Sequence, residues 1–184
     1  MDKNSCWHTE GCVNEMNRFL DANKNNPETN KHFKYFSELI KATDEQDVNI
    51  IDIGCGTGVL SEYCNGNKYS GVDLPHIISG CSMRNYPDYF YRSGNIVEDN
   101  LEWIKEYPIV CMSAVLDVME SPVEFLEKVL QSSSKWVIIH RQEFTNGGTK
   151  VKKNDSYNGY TYHSIINRAE FKALCDKYSF DIKK

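Results

Sequence analysis

Apolar positions along this chain fall into two spacings that alternate from end to end. Short β-branched or aromatic runs at 48–53, 69–72, 89–92, 109–113 and 135–139 read as strands, the last a continuous apolar run. Between them, apolar residues recur three and four positions apart, which is the helical period. Met16, Phe19 and Leu20 mark a helix over 15–21. Asn26-Pro27 reads as a cap followed by proline at the first helical position, opening a helix to about residue 42 with Phe33, Phe36, Leu39 and Ile40 on one face. Short helices are expected over 77–85 and around Leu101 and Ile104. Ser121-Pro122-Val123-Glu124 has the form of a capping box, and Val123, Leu126, Val129 and Leu130 follow at helical spacing. Residues 142–160 form a long polar connection with Gly147, Gly148 and Gly159. Asn167 with Glu170 starts a last helix carrying Phe171, Leu174, Cys175 and Tyr178, and 180–182 reads as a sixth strand. Regular strand–helix alternation predicts an α/β fold of three α/β/α layers, its sheet mostly parallel, with ligands held beyond the carboxyl ends of the strands.

One stretch organises the rest. In Ile50-Ile51-Asp52-Ile53-Gly54-Cys55-Gly56-Thr57-Gly58 a buried-strand pattern takes in an acid and breaks into three glycines at alternate positions. Glycine is needed where the backbone turns left-handed or a ligand lies directly on it. A dinucleotide fingerprint would space its glycines G-x-G-x-x-G, whereas the third glycine here comes one residue early. Asp73 ends the second strand about twenty residues past the first glycine, where a carboxylate holds a ribose diol.

The pattern G-x-G-x-G after a strand with an internal acid resembles motif I of the class I S-adenosylmethionine-dependent methyltransferases. Tyr69 to Asp73 is similar to their second motif, Gly94-Asn95-Ile96 to their third, and Pro108 to Asp117 to their fourth. The resemblance covers about residues 48–143. It implies a Rossmann-like methyltransferase core over 47–184, preceded by helices over 1–46 that cover the cofactor or cap the sheet. It also implies S-adenosyl-L-methionine as cofactor. Gly54, Cys55, Gly56 and Gly58 would form its cradle, and Asp52 would support the turn or the methionine ammonium. Asp73 would take the ribose hydroxyls and Leu74 would flank the adenine, with Asn95, Ile96 and Ser113 completing the site. Asn95 stands where the family commonly has an acid, and its amide oxygen can still accept a hydrogen bond. Ser113-Ala114-Val115-Leu116, together with Ile139 to Phe144, is similar to a narrower bacterial group associated with surface-polysaccharide or natural-product genes. The family usually ends in two antiparallel strands. This chain is expected to lack the last one, which would leave a sheet edge as a candidate homodimer surface.

Composition narrows the function. With 184 residues and 40% apolar content the chain has the size of one globular domain. A net charge of −5 disfavours nucleic-acid backbone binding. No apolar run reaches membrane-spanning length, and the N-terminus is not a signal peptide. Seven scattered cysteines without a C-x-x-C pair suggest reduced thiols and a cytoplasmic location. Cys6, His8 and Cys12 lie close together but have no fourth ligand at finger-like spacing, so no metal is expected.

Methyl transfer to a hydroxyl or amine of a small molecule calls for a proton acceptor near the strand tips. His140 has the right ordinary pKa range, and Asp117 is its rival. Arg141 is a candidate clamp for an anionic group or a surface ion-pair partner. Tyr160, Tyr162 and His163 are candidates for the substrate side. A non-catalytic S-adenosylmethionine-binding subunit or sensor of the same fold is the alternative, and a nicotinamide-binding domain is disfavoured by the glycine spacing.

Overall fold

The structure is a computed structural model that describes residues 5–23, 26–133, 135–156 and 159–183, with the backbone alone over 27–30. Two helices come first, α1 (Glu10–Asn23) and α2 (Pro27–Lys41). α1 begins earlier than the apolar spacing indicates. Thr9 Oγ1 accepts from the Cys12 N–H at 3.3 Å and so supplies an N-cap.

The central sheet holds β1 (Asn49–Ile53), β2 (Lys68–Asp73), β3 (Phe90–Ser93), β4 (Ile109–Ser113) and β5 (Trp136–His140). They run in the order β3-β2-β1-β4-β5, and every pairing is parallel. The order reverses between β1 and β4, which opens a crevice at their carboxyl ends. The connection from β2 to β3 is one helical segment made of α3 (Pro75–Ile77), a π turn (Ile78–Ser82) and α4 (Met83–Asn85). Between β4 and β5 lies α5 (Pro122–Ser132). Pro122 takes the first turn as expected, but the Ser121 side chain makes no capping hydrogen bond. Its carbonyl accepts the Phe125 N–H instead.

Strand alternation sorts the core into two layers. Ile50, Ile109, Cys111 and Ile138 point to the face covered by Phe36 and Ile40 of α2. Ile51, Ile53, Val110 and Met112 point to the face covered by Leu126, Val129 and Leu130 of α5. The same alternation puts Asp52 of β1 and His140 of β5 on the α2 face.

After β5 the chain departs from the expectation. Residues 142–160 are not a long loop. They contain β6 (Glu143–Thr145) and β7 (Lys150–Ser156), which join β8 (Gly159–Asn167) in a second sheet of order β6-β8-β7. β7 pairs with β8 antiparallel and β6 pairs with β8 parallel. α6 (Arg168–Lys177) then starts as predicted, with the Asn167 side chain accepting the Glu170 N–H at 2.8 Å. No strand forms at 180–182, where the Phe180 N–H bonds back to the Cys175 carbonyl at the helix end. The central sheet therefore stops at β5, and the strands that follow build a separate sheet around β8.

Candidate active site

A cleft of about 680 Å³ lies at the carboxyl ends of β1, β2 and β4. The glycine turn forms its floor. Gly54, Gly56 and Gly58 all sit in the left-handed region, at φ of 70°, 53° and 80°. At Gly56 the Cε of Met16 of α1 lies 2.7 Å from where a Cβ would stand, so the flexible end of Met16 would have to shift to admit one. The turn is tied down on both sides. The Gly54 and Cys55 N–H groups donate to the Val72 carbonyl of β2. The Ser82 hydroxyl, fully buried in the π turn, donates to the Gly56 carbonyl at 2.6 Å. Sequence reasoning missed Ser82, because nothing in the local pattern distinguishes it from a surface helix serine.

Asp73 joins the second strand to this turn. Its Oδ2 accepts the Gly56 N–H at 2.9 Å and its Oδ1 accepts the Leu74 N–H at 2.7 Å. Burial raises its pKa, and these two N–H groups oppose the rise. Asp52 is 1% exposed, accepts from the Tyr69 hydroxyl at 2.8 Å through Oδ2, and keeps a buried Oδ1 without a partner. Desolvation pushes its pKa up to about 7. Leu74, Asn95 and Ile96 line the same end of the cleft, and Asn95 Oδ1 is bonded locally to the Val97 N–H. Cys55 also lines the cleft, with its sulfur packed against Gly71. Gly58 does not line it, and its N–H donates to the Cys55 carbonyl within the turn.

At the other end the tips of β4 and β5 are locked together. Ser113 Oγ lies 2.8 Å from His140 Nδ1, and the Ala114 N–H donates to the His140 carbonyl. His140 is 9% exposed under the Phe36 ring and does not line the cleft. Burial and the neighbouring Arg141 lower its pKa to about 4. Asp117 does line the cleft, on a 3₁₀ turn (Leu116–Val118), and its Oδ1 is buried without a partner. Burial raises the Asp117 pKa, Arg141 and His163 pull it down, and Glu143 pushes it up. Tyr160, Tyr162 and His163 stand outside the cleft.

The second sheet holds the Asp117 turn in place. The buried Ser164 hydroxyl of β8 donates to the Met119 carbonyl at 2.6 Å, and Gln142 Nε2 donates to the Ser164 carbonyl at 3.1 Å. Trp7, just before α1, and Met16 and Phe19 on it also line the cleft. Asn17 Nδ2 donates to the Gly80 carbonyl and Asn85 Nδ2 to Asn17 Oδ1, which anchors α1 on the segment after β2. Among the described residues, no group of three His, Cys, Asp or Glu side chains is placed to hold a metal ion, and no helix is long and apolar enough to cross a membrane.

No protein-family model and no curated protein sequence matches the chain. Solved structures do. The chain is similar to an S-adenosylmethionine-dependent methyltransferase from Clostridium acetobutylicum, with a TM-score of 0.63 at 12% identity over 91% of this chain and 89% of that one. It is similar to the 1,6-didemethyltoxoflavin-N1-methyltransferase of Burkholderia thailandensis, with a TM-score of 0.59 at 14% identity over 89% of this chain and 75% of that one. It is also similar to an amino pentose methyltransferase of calicheamicin biosynthesis from Micromonospora echinaspora, with a TM-score of 0.58 at 11% identity over 80% of this chain and 81% of that one. The fold is that of the class I S-adenosylmethionine-dependent methyltransferases.

Proposed function

We propose that this protein binds S-adenosyl-L-methionine and methylates a hydroxyl or amine of a small molecule. The observation that carries this reading is the placement of unpaired polar atoms. Among the described residues, Trp7 Nε1, Asp52 Oδ1 and Asp117 Oδ1 are buried without a hydrogen-bond partner and belong to side chains that line the cleft around the glycine turn, whereas Ser61 Oγ and Gln142 Oε1 are buried without one away from it. Buried polar groups normally find partners, so such a set indicates groups that a ligand satisfies. The donor set fits the cofactor: a carboxylate for an ammonium, a second for ribose hydroxyls, and backbone without side chains between them.

When bound, S-adenosylmethionine supplies an electrophilic methyl carbon on a sulfonium. Asp52 Oδ1 would accept from the ammonium of its methionine portion, with Gly54 and Gly56 leaving backbone without side chains beside it. Asp73 would accept from the ribose hydroxyls with the lone pairs that the Gly56 and Leu74 N–H groups leave free. Leu74 and Ile96 would hold the adenine, with Asn95 as a further acceptor at that end. Asp117 Oδ1 takes the proton of the acceptor; its raised pKa suits it to that task better than an ordinary surface carboxylate. His140 acts as a positioning residue through Ser113 and Ala114. α1 serves as the cover, while α2 belongs to the core. Seven free, buried cysteines suit a reducing cytoplasm. Neighbours in fold that are named for amino pentose and 1,6-didemethyltoxoflavin methylation support a small-molecule acceptor.

The test is ligand-dependent thermal stability followed by label transfer. S-adenosylhomocysteine at about a hundredfold its Kd should add roughly 2.7 kcal/mol, and Asp73→Ala should remove that gain. Asp117→Asn should keep it but lower turnover on any accepted substrate about 10²-fold or more. Stabilisation by NAD and not by S-adenosylhomocysteine would overturn the cofactor assignment. Stabilisation without transfer to any acceptor would favour the non-catalytic sensor.

A further inference from the structure

We infer that the acceptor carries an oxyanion, a carboxylate or a phosphate, beside the group that is methylated, and that Arg141 binds it. This deepens the methyl-transfer reading and rests on it. Seven described non-glycine residues adopt left-handed backbone, and of these only Ala114 and Arg141 line the cleft. They occupy the tips of neighbouring strands at φ of 54° and 61°, and the Ala114 N–H donates to the carbonyl of His140, the residue just before Arg141. A left-handed non-glycine residue costs about 1–2 kcal/mol, so two side by side mark a conformation held by its surroundings. Its effect here is to turn the Arg141 side chain out of the strand direction and toward the cleft, while His140 goes under α2.

The guanidinium then has no carboxylate within ion-pair distance among the described residues. Asp117 feels its charge without pairing directly. A surface ion pair is therefore not its role. The acceptor end of the cleft offers one fork of donors at Arg141 and one buried acceptor atom at Asp117 Oδ1. A guanidinium takes a carboxylate or phosphate in a two-pronged hydrogen bond. A small molecule with an oxyanion next to a hydroxyl or amine satisfies both residues at once and brings its proton to Asp117. A neutral acceptor leaves the guanidinium unused.

The experiment titrates inorganic phosphate and acetate into the full chain at constant ionic strength set with chloride, with and without saturating S-adenosylhomocysteine. Melting temperature and calorimetric binding are read for wild type, Arg141→Gln, Arg141→Lys and Asp117→Asn. Wild type should show a saturable response to at least one of the two anions. Arg141→Gln should weaken it tenfold or more, Arg141→Lys should retain part of it, and Asp117→Asn should strengthen it by removing a repelling charge. Response to phosphate alone assigns a phosphorylated acceptor, and response to acetate assigns a carboxylate. No response above chloride, or an equal response in Arg141→Gln, overturns the inference. Loss of the S-adenosylhomocysteine response with the anion response intact would instead count against the cofactor reading.

Discussion

Two buried titratable groups on the α2 face of the sheet respond to acid in opposite directions. His140 has a folded pKa near 4, below its ordinary 6.5. In that window the unfolded chain takes up the proton first, so the His140 contribution is present above pH 6.5 and is lost as pH falls toward 4. Asp52 has a folded pKa near 7, above its ordinary 3.8, so its contribution is present at low pH and is lost as pH rises through 7. The two partly cancel in the wild type, and a variant is needed to separate them. The stability difference between wild type and His140→Gln should shrink by on the order of 3 kcal/mol between pH 6.5 and pH 4, measured by urea unfolding. A difference independent of pH would mean that the imidazole is not buried as described. Asp73 and the glycine turn were legible in the sequence because their chemistry is local. The choice between His140 and Asp117 was not. Both lie near strand tips; the parity of β5 under α2 decides that His140 packs, and the turn after β4, held by β8, decides that Asp117 faces the cleft.

Among the elements, β8 links the second sheet to the Asp117 end of the cleft. Its Ser164 holds the Met119 carbonyl just past the Asp117 turn, and the end of the cleft formed by the glycine turn and Asp73 lies on other strands. Ser164→Ala should therefore cost about 1–2 kcal/mol by leaving a buried carbonyl unpaired. It should lower turnover more than it lowers S-adenosylhomocysteine affinity. Chemical denaturation, kcat and a binding isotherm on one preparation check this, and an equal loss in both functions would place Ser164 in general stability alone. The helix after β8 was readable from Asn167 and Glu170, since capping is a contact three residues long. β7 was not. Lys150-Val151-Lys152-Lys153-Asn154-Asp155-Ser156 contains one apolar residue, and its strand conformation comes from pairing with β8.

In the whole molecule the two N-terminal helices divide the work. Phe36 and Ile40 of α2 are buried in one cluster with residues of β1, β2, β4 and β5, while α1 packs through Cys12, Val13 and Met16 on the segment after β2. Burying each large apolar side chain contributes roughly 1.5–3 kcal/mol, a sizeable part of the 5–15 kcal/mol that holds a typical domain. Removing residues 1–25 should leave cooperative urea unfolding but weaken S-adenosylhomocysteine binding tenfold or more. Removing residues 1–46 should abolish the cooperative transition. Unchanged binding after the shorter deletion would show that α1 is not a cover. The sequence by itself determined the alternation of strand and helix, the parallel sheet, the glycine turn and its acid. Each of these is written in residues a few positions apart, through periodicity, backbone freedom and local hydrogen bonding. Tertiary structure alone decided the second sheet, the burial of His140, the packing of α1 beside the cleft and the lack of a carboxylate partner for Arg141 among the described residues. Those depend on which distant segments meet, and the free energy that selects them comes from burial and pairing across the chain.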